Sequence, residues 1–392
     1  MNFKYYFTIY VIFLSTFSLF SSTLSLAQST TWTGAANNTN WTDAGNWSAG
    51  VPTATSNVTI ANAAFQPIIS TTVTINSLTI NNLSTLNVNG GGSLTVNTNI
   101  SNNGTLNLNN GSITVNGNLT NSSTGTLTTA TSQTFTLAGD LTNNNNLTSN
   151  GNFVLSGSGL QTISGIGITS FATLNKTNGT LIFDQNATIT QNFIIPTTLT
   201  TNVNASFSLT LEGNLTNNGI LNMGASSILV FAGSTNSTVS GTGTFNLQNV
   251  NVNKNSATLS LDNDITINGV LNVGTNATFT LNSGNITNIV GNSTILGTLN
   301  INTNRSLTAS ANITNNGTIS GTATNANLIL QGTTNQNISG AGTCNVFSFT
   351  LSKTAGIVTL NTTLAITGAG SSLTIPNGVT FTVGTLGDLG IT

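Results

Sequence analysis

The chain has 392 residues, of which 3% are charged and 37% hydrophobic, with a net charge of −2 and no histidine. Ordinary soluble domains carry about 25% charged residues, so solubility here must rest on Asn, Thr, Ser and Gly. That balance excludes a basic surface for nucleic acid or anionic membrane, argues against disorder, and leaves no imidazole for catalysis or metal binding.

The first 27 residues read as a secretory signal peptide. Lys4 gives a positive start, and Tyr5 to Phe20 is a nearly unbroken apolar run. Ser25-Leu26-Ala27 before Gln28 then places small residues at −3 and −1. About 16 apolar residues is short for a membrane span, which makes an uncleaved anchor the lesser alternative. A secreted, extracellular or cell-surface location is expected. Residues 28–70 hold all three tryptophans, Trp32, Trp41 and Trp47, before any regular repeat begins. They are expected to cap the end of a repeat core. Exposed rings stacking on sugars are the alternative.

From residue 71 to 392 the sequence is repetitive. Leu86, Leu106, Leu127 and Leu147 open successive units at steps of 20, 21 and 20 residues. A second register runs Leu94/Val96, Ile113/Val115, Phe135/Leu137 and Phe153/Leu155, and a third runs Ile100, Leu119, Leu141 and Leu160. Each unit therefore holds three short alternating segments, each ending at a turn signal. No helical period appears, and runs such as Ser101-Asn-Asn-Gly104 break helices. One unit cannot bury its own apolar face; stacking units at the interstrand spacing of roughly 4.8 Å can. The expected fold is all-β: a right-handed β-helix with three strands per coil of about 20 residues. Some 16 coils would make a rod near 80 Å long, by the same spacing. Asn stacked in equivalent turns would form amide ladders, which accounts for its abundance without a ligand.

A longer repeat is superposed, with copies starting near 141, 215 and 313. They open Leu141-Thr-Asn-Asn, Leu215-Thr-Asn-Asn and Ile313-Thr-Asn-Asn, and continue through Gln161-Thr-Ile-Ser-Gly165, Ser237-Thr-Val-Ser-Gly241 and Gln336-Asn-Ile-Ser-Gly340. Copy spacings of 74 and 98 residues differ by about one coil, with the extra coil expected near Ala277 to Asn300.

The same repeat aligns Lys176, Lys254 and Lys353, each followed eight residues later by Asp184, Asp262 and Asn361. These six are candidate polar site positions. The plainer expectation is a solvated turn inherited by duplication, with the lysines on one side of the rod. Asp262 and Asp264 form the one close acidic pair, a poor site for Ca²⁺ without further carboxylates. Gly241-Thr-Gly243 and Gly340-Ala-Gly342 precede strands, not helices, and so read as turns and not phosphate loops. Cys344, the one cysteine, is expected to be a buried strand residue. Asn-x-Ser/Thr sequons such as those at Asn40, Asn46 and Asn57 arise by chance in this composition.

The run Gln161-Thr-Ile-Ser-Gly165, Phe171-Ala-Thr-Leu-Asn-Lys176, Gly179-Thr-Leu-Ile-Phe-Asp184 resembles Asn/Thr-rich β-helical repeat regions of large secreted bacterial adhesin-like surface proteins. The opening Trp41, Trp47, Gly50-Val-Pro52 and Val58-Thr-Ile60 is similar to the start of such regions. The resemblance implies an extracellular scaffold, with surface glycans or other copies of itself as partners, and membrane attachment only through an anchoring domain outside this sequence. Strand pattern persists through Leu373-Thr-Ile375 and Thr380-Phe-Thr-Val383 to Thr392, so the expectation is a chain that continues, or an open end that self-associates.

The function expected is structural or adhesive and non-catalytic, with no cofactor. Ice binding is the alternative, suggested by Thr126-Leu-Thr128, Thr134-Phe-Thr136, Thr188-Ile-Thr190 and Thr278-Phe-Thr280, although these triplets do not share one register at the coil period. A carbohydrate-active enzyme is the least favoured, for want of clustered carboxylates. Intact-mass analysis of protein from the medium should find an N-terminus at Gln28; retention of residues 1–27 would point to the anchor.

Overall fold

The structure is a computed structural model that describes residues 28–282 and 286–392; the signal peptide lies outside the described residues. The described chain is a β-solenoid of about 16 turns. Each coil contributes one strand to each of three faces, taken in chain order as first, second and third. In one coil these are Ser77–Ile80, Thr85–Val88 and Gly92–Val96. The first face is a 17-stranded sheet. The second and third join into one sheet where long strands, such as Asn146–Leu155 and Gln336–Val346, turn a corner without a break.

The strands alternate because their sequences do. Thr85-Leu-Asn-Val88 and Thr105-Leu-Asn-Leu108 bury every second residue and leave the others toward solvent. Pairing is parallel and in register, so equivalent residues stack. Leu86, Leu106, Leu127 and Leu147 sit one above another on the second face, all buried. Leu94, Ile113, Phe135 and Phe153 do so on the third, as do Val96, Val115, Leu137 and Leu155. The Phe135 and Phe153 rings lie parallel with centroids 5.0 Å apart, the spacing that the backbone ladder imposes.

The third register needs one correction. Ile100, Leu119 and Leu141 stack on the first face, but the next member is Ile163. Leu160 is 61% exposed, because the strand Leu160–Ser164 turns Gln161 and Ile163 inward.

The long-repeat copies do not stack. Leu141 lies on the first face, Leu215 on the third and Ile313 on the second. The first face climbs from Leu141 through Ile163 and Phe183 to Val203 before Leu215 follows on the third. The third face then climbs from Leu215 through Val239, Leu261 and Leu281 to Ile301 before Ile313 follows on the second. The copy-to-copy steps are thus three coils plus two faces, and four coils plus two faces. They differ by one whole coil.

At the N-terminal end, Ser29–Trp32 opens the first face and pairs with Asn57–Ile60. Its other edge is met by an antiparallel segment through a Trp32–Trp47 bridge, with Thr33 N donating to Asn46 O and Ser48 N to Thr31 O. That blocks an otherwise free edge. The short 3-10 turn Ala44–Asn46 in this segment is capped by the Asp43 side chain, which accepts from Gly45 N.

Replacing Leu127 by Ala should leave a cavity between two neighbouring coils and cost about 2–5 kcal/mol of stability in denaturant titration. A cost near zero would mean that the stacked leucines do not carry the core.

Candidate functional site

The repeat polar positions were built up from their corners. Lys176, Lys254 and Lys353 are all buried, which overturns the solvated-turn expectation. Their ammonium groups turn into the coil. Lys176 Nζ donates to Gly157 O at 2.6 Å and Gln161 Oε1 at 2.7 Å. Lys353 Nζ donates to Thr334 O and Gln336 Oε1, both at 2.8 Å. The two glutamines are themselves buried, and their Nε2 groups donate to carbonyls of the coil below: Leu137, Ala138 and Gly139 for Gln161, Ala309 and Ala311 for Gln336. Each Lys–Gln pair thus ties one corner to its lower neighbour through main-chain oxygens.

The middle copy has Ser237 where the others have glutamine. Lys254 Nζ there reaches the carbonyls of Ala232 and, one coil lower, Glu212 at 3.0 Å, while Ser237 Oγ is left without a partner. The lysines also fail to share a side. Lys176 sits between third and first faces, Lys254 between second and third, Lys353 between first and second. The cause is the two-face offset of the long repeat.

Asp184, Asp262 and Asn361 do not meet these lysines. Each joins an outer side-chain ladder: Asn204 Nδ2 donates to Asp184 Oδ1 at 2.8 Å, Asn282 Nδ2 to Asp262 Oδ1 at 2.9 Å, and Asn361 Nδ2 to Asn337 Oδ1 at 3.0 Å. Arg305 is buried, and the charges of Asp264 and Asp262 oppose the downward pull of burial on its pKa. The acidic pair therefore already faces a cation. Among the described residues no three of His, Cys, Asp and Glu come together.

Buried amides form the second polar element. Asn102 Nδ2 donates to Asn121 Oδ1 at 2.7 Å, Asn121 to Asn143 at 2.7 Å, and Asn143 to Thr169 Oγ1 at 2.7 Å. Each also donates to a strand carbonyl above, of Thr126, Asn146 and Ile168. Above the repeat residues Asn143, Asn217 and Asn315 stand Gly165, Gly241 and Gly340, at φ +125°, +112° and +113°. A Cβ there would lie 2.0–2.1 Å from the asparagine carbonyl oxygen, so only glycine fits. These are turns.

Trp32, Trp41 and Trp47 are buried in edge-to-face contact, with centroids 5.0 and 4.7 Å apart. Trp32 Nε1 donates to Phe65 O and Trp47 Nε1 to Trp41 O, both at 2.8 Å. No ring face is open to a sugar. Cys344 is buried on the third face between Ile319 and Leu364, and desolvation pushes its thiol up to about 12. The thiolate is absent at neutral pH, and with it thiol reactivity.

Hydroxyl columns occupy the outward positions of the third face. Thr258, Thr278, Thr298, Thr318, Thr343 and Thr363 are paired in a single register, beside Ser260, Thr280, Asn300, Ser320, Asn345 and Ala365. Threonine does recur at the coil period, contrary to the reading from triplets. The triplets hid it because Thr126–Thr128 and Thr188 lie on the second face and Thr134–Thr136 and Thr278–Thr280 on the third. Nearby, an open groove of about 670 Å³ runs past Gly340, Asn361, Thr363 and Leu386 and carries no ionisable side chain.

Sequence reasoning missed Gln161 and Gln336 as the lysines' partners, the inward Asn102–Asn143 ladder, and the threonine column. The Gln–Lys spacings of 15 and 17 residues, just short of one coil, were the available signal.

A family model described as a domain of unknown function (DUF8693) matches residues 31–226, half of the chain. No curated protein and no solved structure matches it.

Desolvation holds all three lysine pKa values below the ordinary one, with Glu212 opposing this at Lys254. A base with a lowered folded pKa binds fewer protons folded than unfolded, so its penalty is complete below that pKa. Stability then rises as pH climbs toward the unfolded value of about 10.4. Denaturation midpoints should show this alkaline rise in the natural chain and lose it in the triple Lys→Met variant. Lys353→Met alone strands Thr334 O and Gln336 Oε1 and should cost about 1–3 kcal/mol. An unchanged melting temperature would return the lysines to the surface role.

Proposed function

The chain belongs to the family of the domain of unknown function DUF8693, and from its geometry we propose a non-catalytic structural or adhesive rod that acts outside the cell. One observation carries this reading: a long parallel stack whose few cationic side chains serve main-chain oxygens inside, while its outer faces repeat uncharged amides and hydroxyls. Asn107 Nδ2 to Asn87 Oδ1 at 3.0 Å, Asn222 to Asn202 at 2.8 Å and Asn272 to Asn251 at 2.9 Å are examples of the outer ladders. Such a surface offers rigidity and repetition, not a focused reactive centre. Its partners would be surface glycans or further copies of the rod, met through many weak contacts in parallel. The export signal read from the first 27 residues supports the location.

Ice binding is a second reading, and the in-register threonine column on the third face favours it.

Beads coated with the chain from Gln28 should bind members of a glycan and matrix panel, with avidity that rises steeply with coating density. Absence of binding across the panel, or turnover of any polysaccharide to reducing sugars, would overturn the adhesive reading.

A further inference from the structure

The outer columns are not alike, and hydrogen bonding separates them. On the first and second faces, outward asparagines are joined to their neighbours, as in Asn202–Asn222–Asn246 and Asn251–Asn272. On the third face, the hydroxyls of Thr258, Thr278, Thr298, Thr318, Thr343 and Thr363 take no hydrogen bond within the protein. Six identical donor–acceptor groups are therefore presented unpartnered, at about 4.8 Å steps along the rod, roughly 24 Å in all. The neighbouring column stands roughly 6.6 Å across, two residues along each strand. No outward residue of these strands is charged or aromatic.

Liquid water solvates a hydroxyl equally well wherever it stands, so periodic spacing gains nothing from bulk solvent. A periodic partner does gain, because hydroxyls held by a parallel ladder lose little further freedom on binding. Each threonine also sets a methyl beside its hydroxyl, giving an alternation of apolar and hydrogen-bonding points. Sugar rings are gripped chiefly by aromatic faces, which this surface lacks. A lattice of water meets it on equal terms.

We propose that the third face from Thr258 to Thr363 is an ice-binding surface, an assignment that rests on the second reading above. The hydroxyls would occupy oxygen positions of the ice lattice and the methyls the gaps between them.

The test uses the whole mature chain and compares ice-crystal shaping and thermal hysteresis in four proteins. These are the natural chain, Thr298→Lys with Thr318→Lys, the near-isosteric Thr298→Val with Thr318→Val, and a control with Asn251→Lys and Asn272→Lys on the second face. The natural chain and the control should shape ice, and the Lys pair on the third face should lose at least five-fold in hysteresis. The Val pair, which keeps the methyls and the strand shape, should fall between and should melt like the natural chain. Activity retained in both third-face variants but lost in the control would overturn the face assignment while leaving ice binding intact. No shaping or hysteresis by the natural chain would sink ice binding itself. Threonine-dependent binding to microcrystalline cellulose or chitin in place of ice would replace the ligand with a crystalline polysaccharide.

Discussion

Everything in this molecule follows from parallel, in-register pairing. In an antiparallel sheet a residue meets whatever the returning strand carries. Here each residue meets its own counterpart one coil away, about 4.8 Å distant. A favourable self-contact is then multiplied by the number of coils, and so is an unfavourable one. Leucine, isoleucine and valine over one another make a continuous core. Asparagine over asparagine makes a chain of amide hydrogen bonds, because the side chain carries both donor and acceptor. Charge over like charge would repeat its repulsion in every coil, which gives a physical reason for the 3% of charged residues.

The lysines show how the constraint treats exceptions. An ammonium cannot stack on an ammonium, and at the corners it turns inward to carbonyl oxygens that the turn leaves without donors. Where a glutamine is present, the amide hands these contacts on to the coil below. Where serine replaces it at Ser237, the lysine reaches down by itself to Glu212 O. One corner chemistry therefore survives the loss of a member, because main-chain oxygens are available at every corner.

Much of this was readable from residues. The period of about 20, the three strands and the stacked pairs from Leu86 to Leu155 are written in hydrophobic alternation, which depends on local sequence alone. Leu160 misled because Gln161, a polar residue facing inward, shifts the apparent apolar phase of its strand. The lysines misled for a related reason: a charged residue between polar turn residues looks solvated, and only the coil geometry brings Gln161 or Gln336 beneath it. The threonine column escaped because its members are single residues in different strand motifs, such as Thr258-Leu-Ser-Leu261 and Thr318-Ile-Ser-Gly321. Their alignment depends on how many residues each corner spends, and corner length leaves no periodic trace.

The two-face remainder of the long repeat makes successive copies related by a screw operation, not a simple rise. A motif carried by the duplicated unit points outward like spokes, in three directions at three heights. Gly165-Ile-Gly167, Gly241-Thr-Gly243 and Gly340-Ala-Gly342 are arranged in this way. Duplication on such a rod cannot build up one side at the expense of the others. It distributes the same corner around the circumference, so a partner that recognised it could be gathered from every azimuth and cross-linked through the shaft.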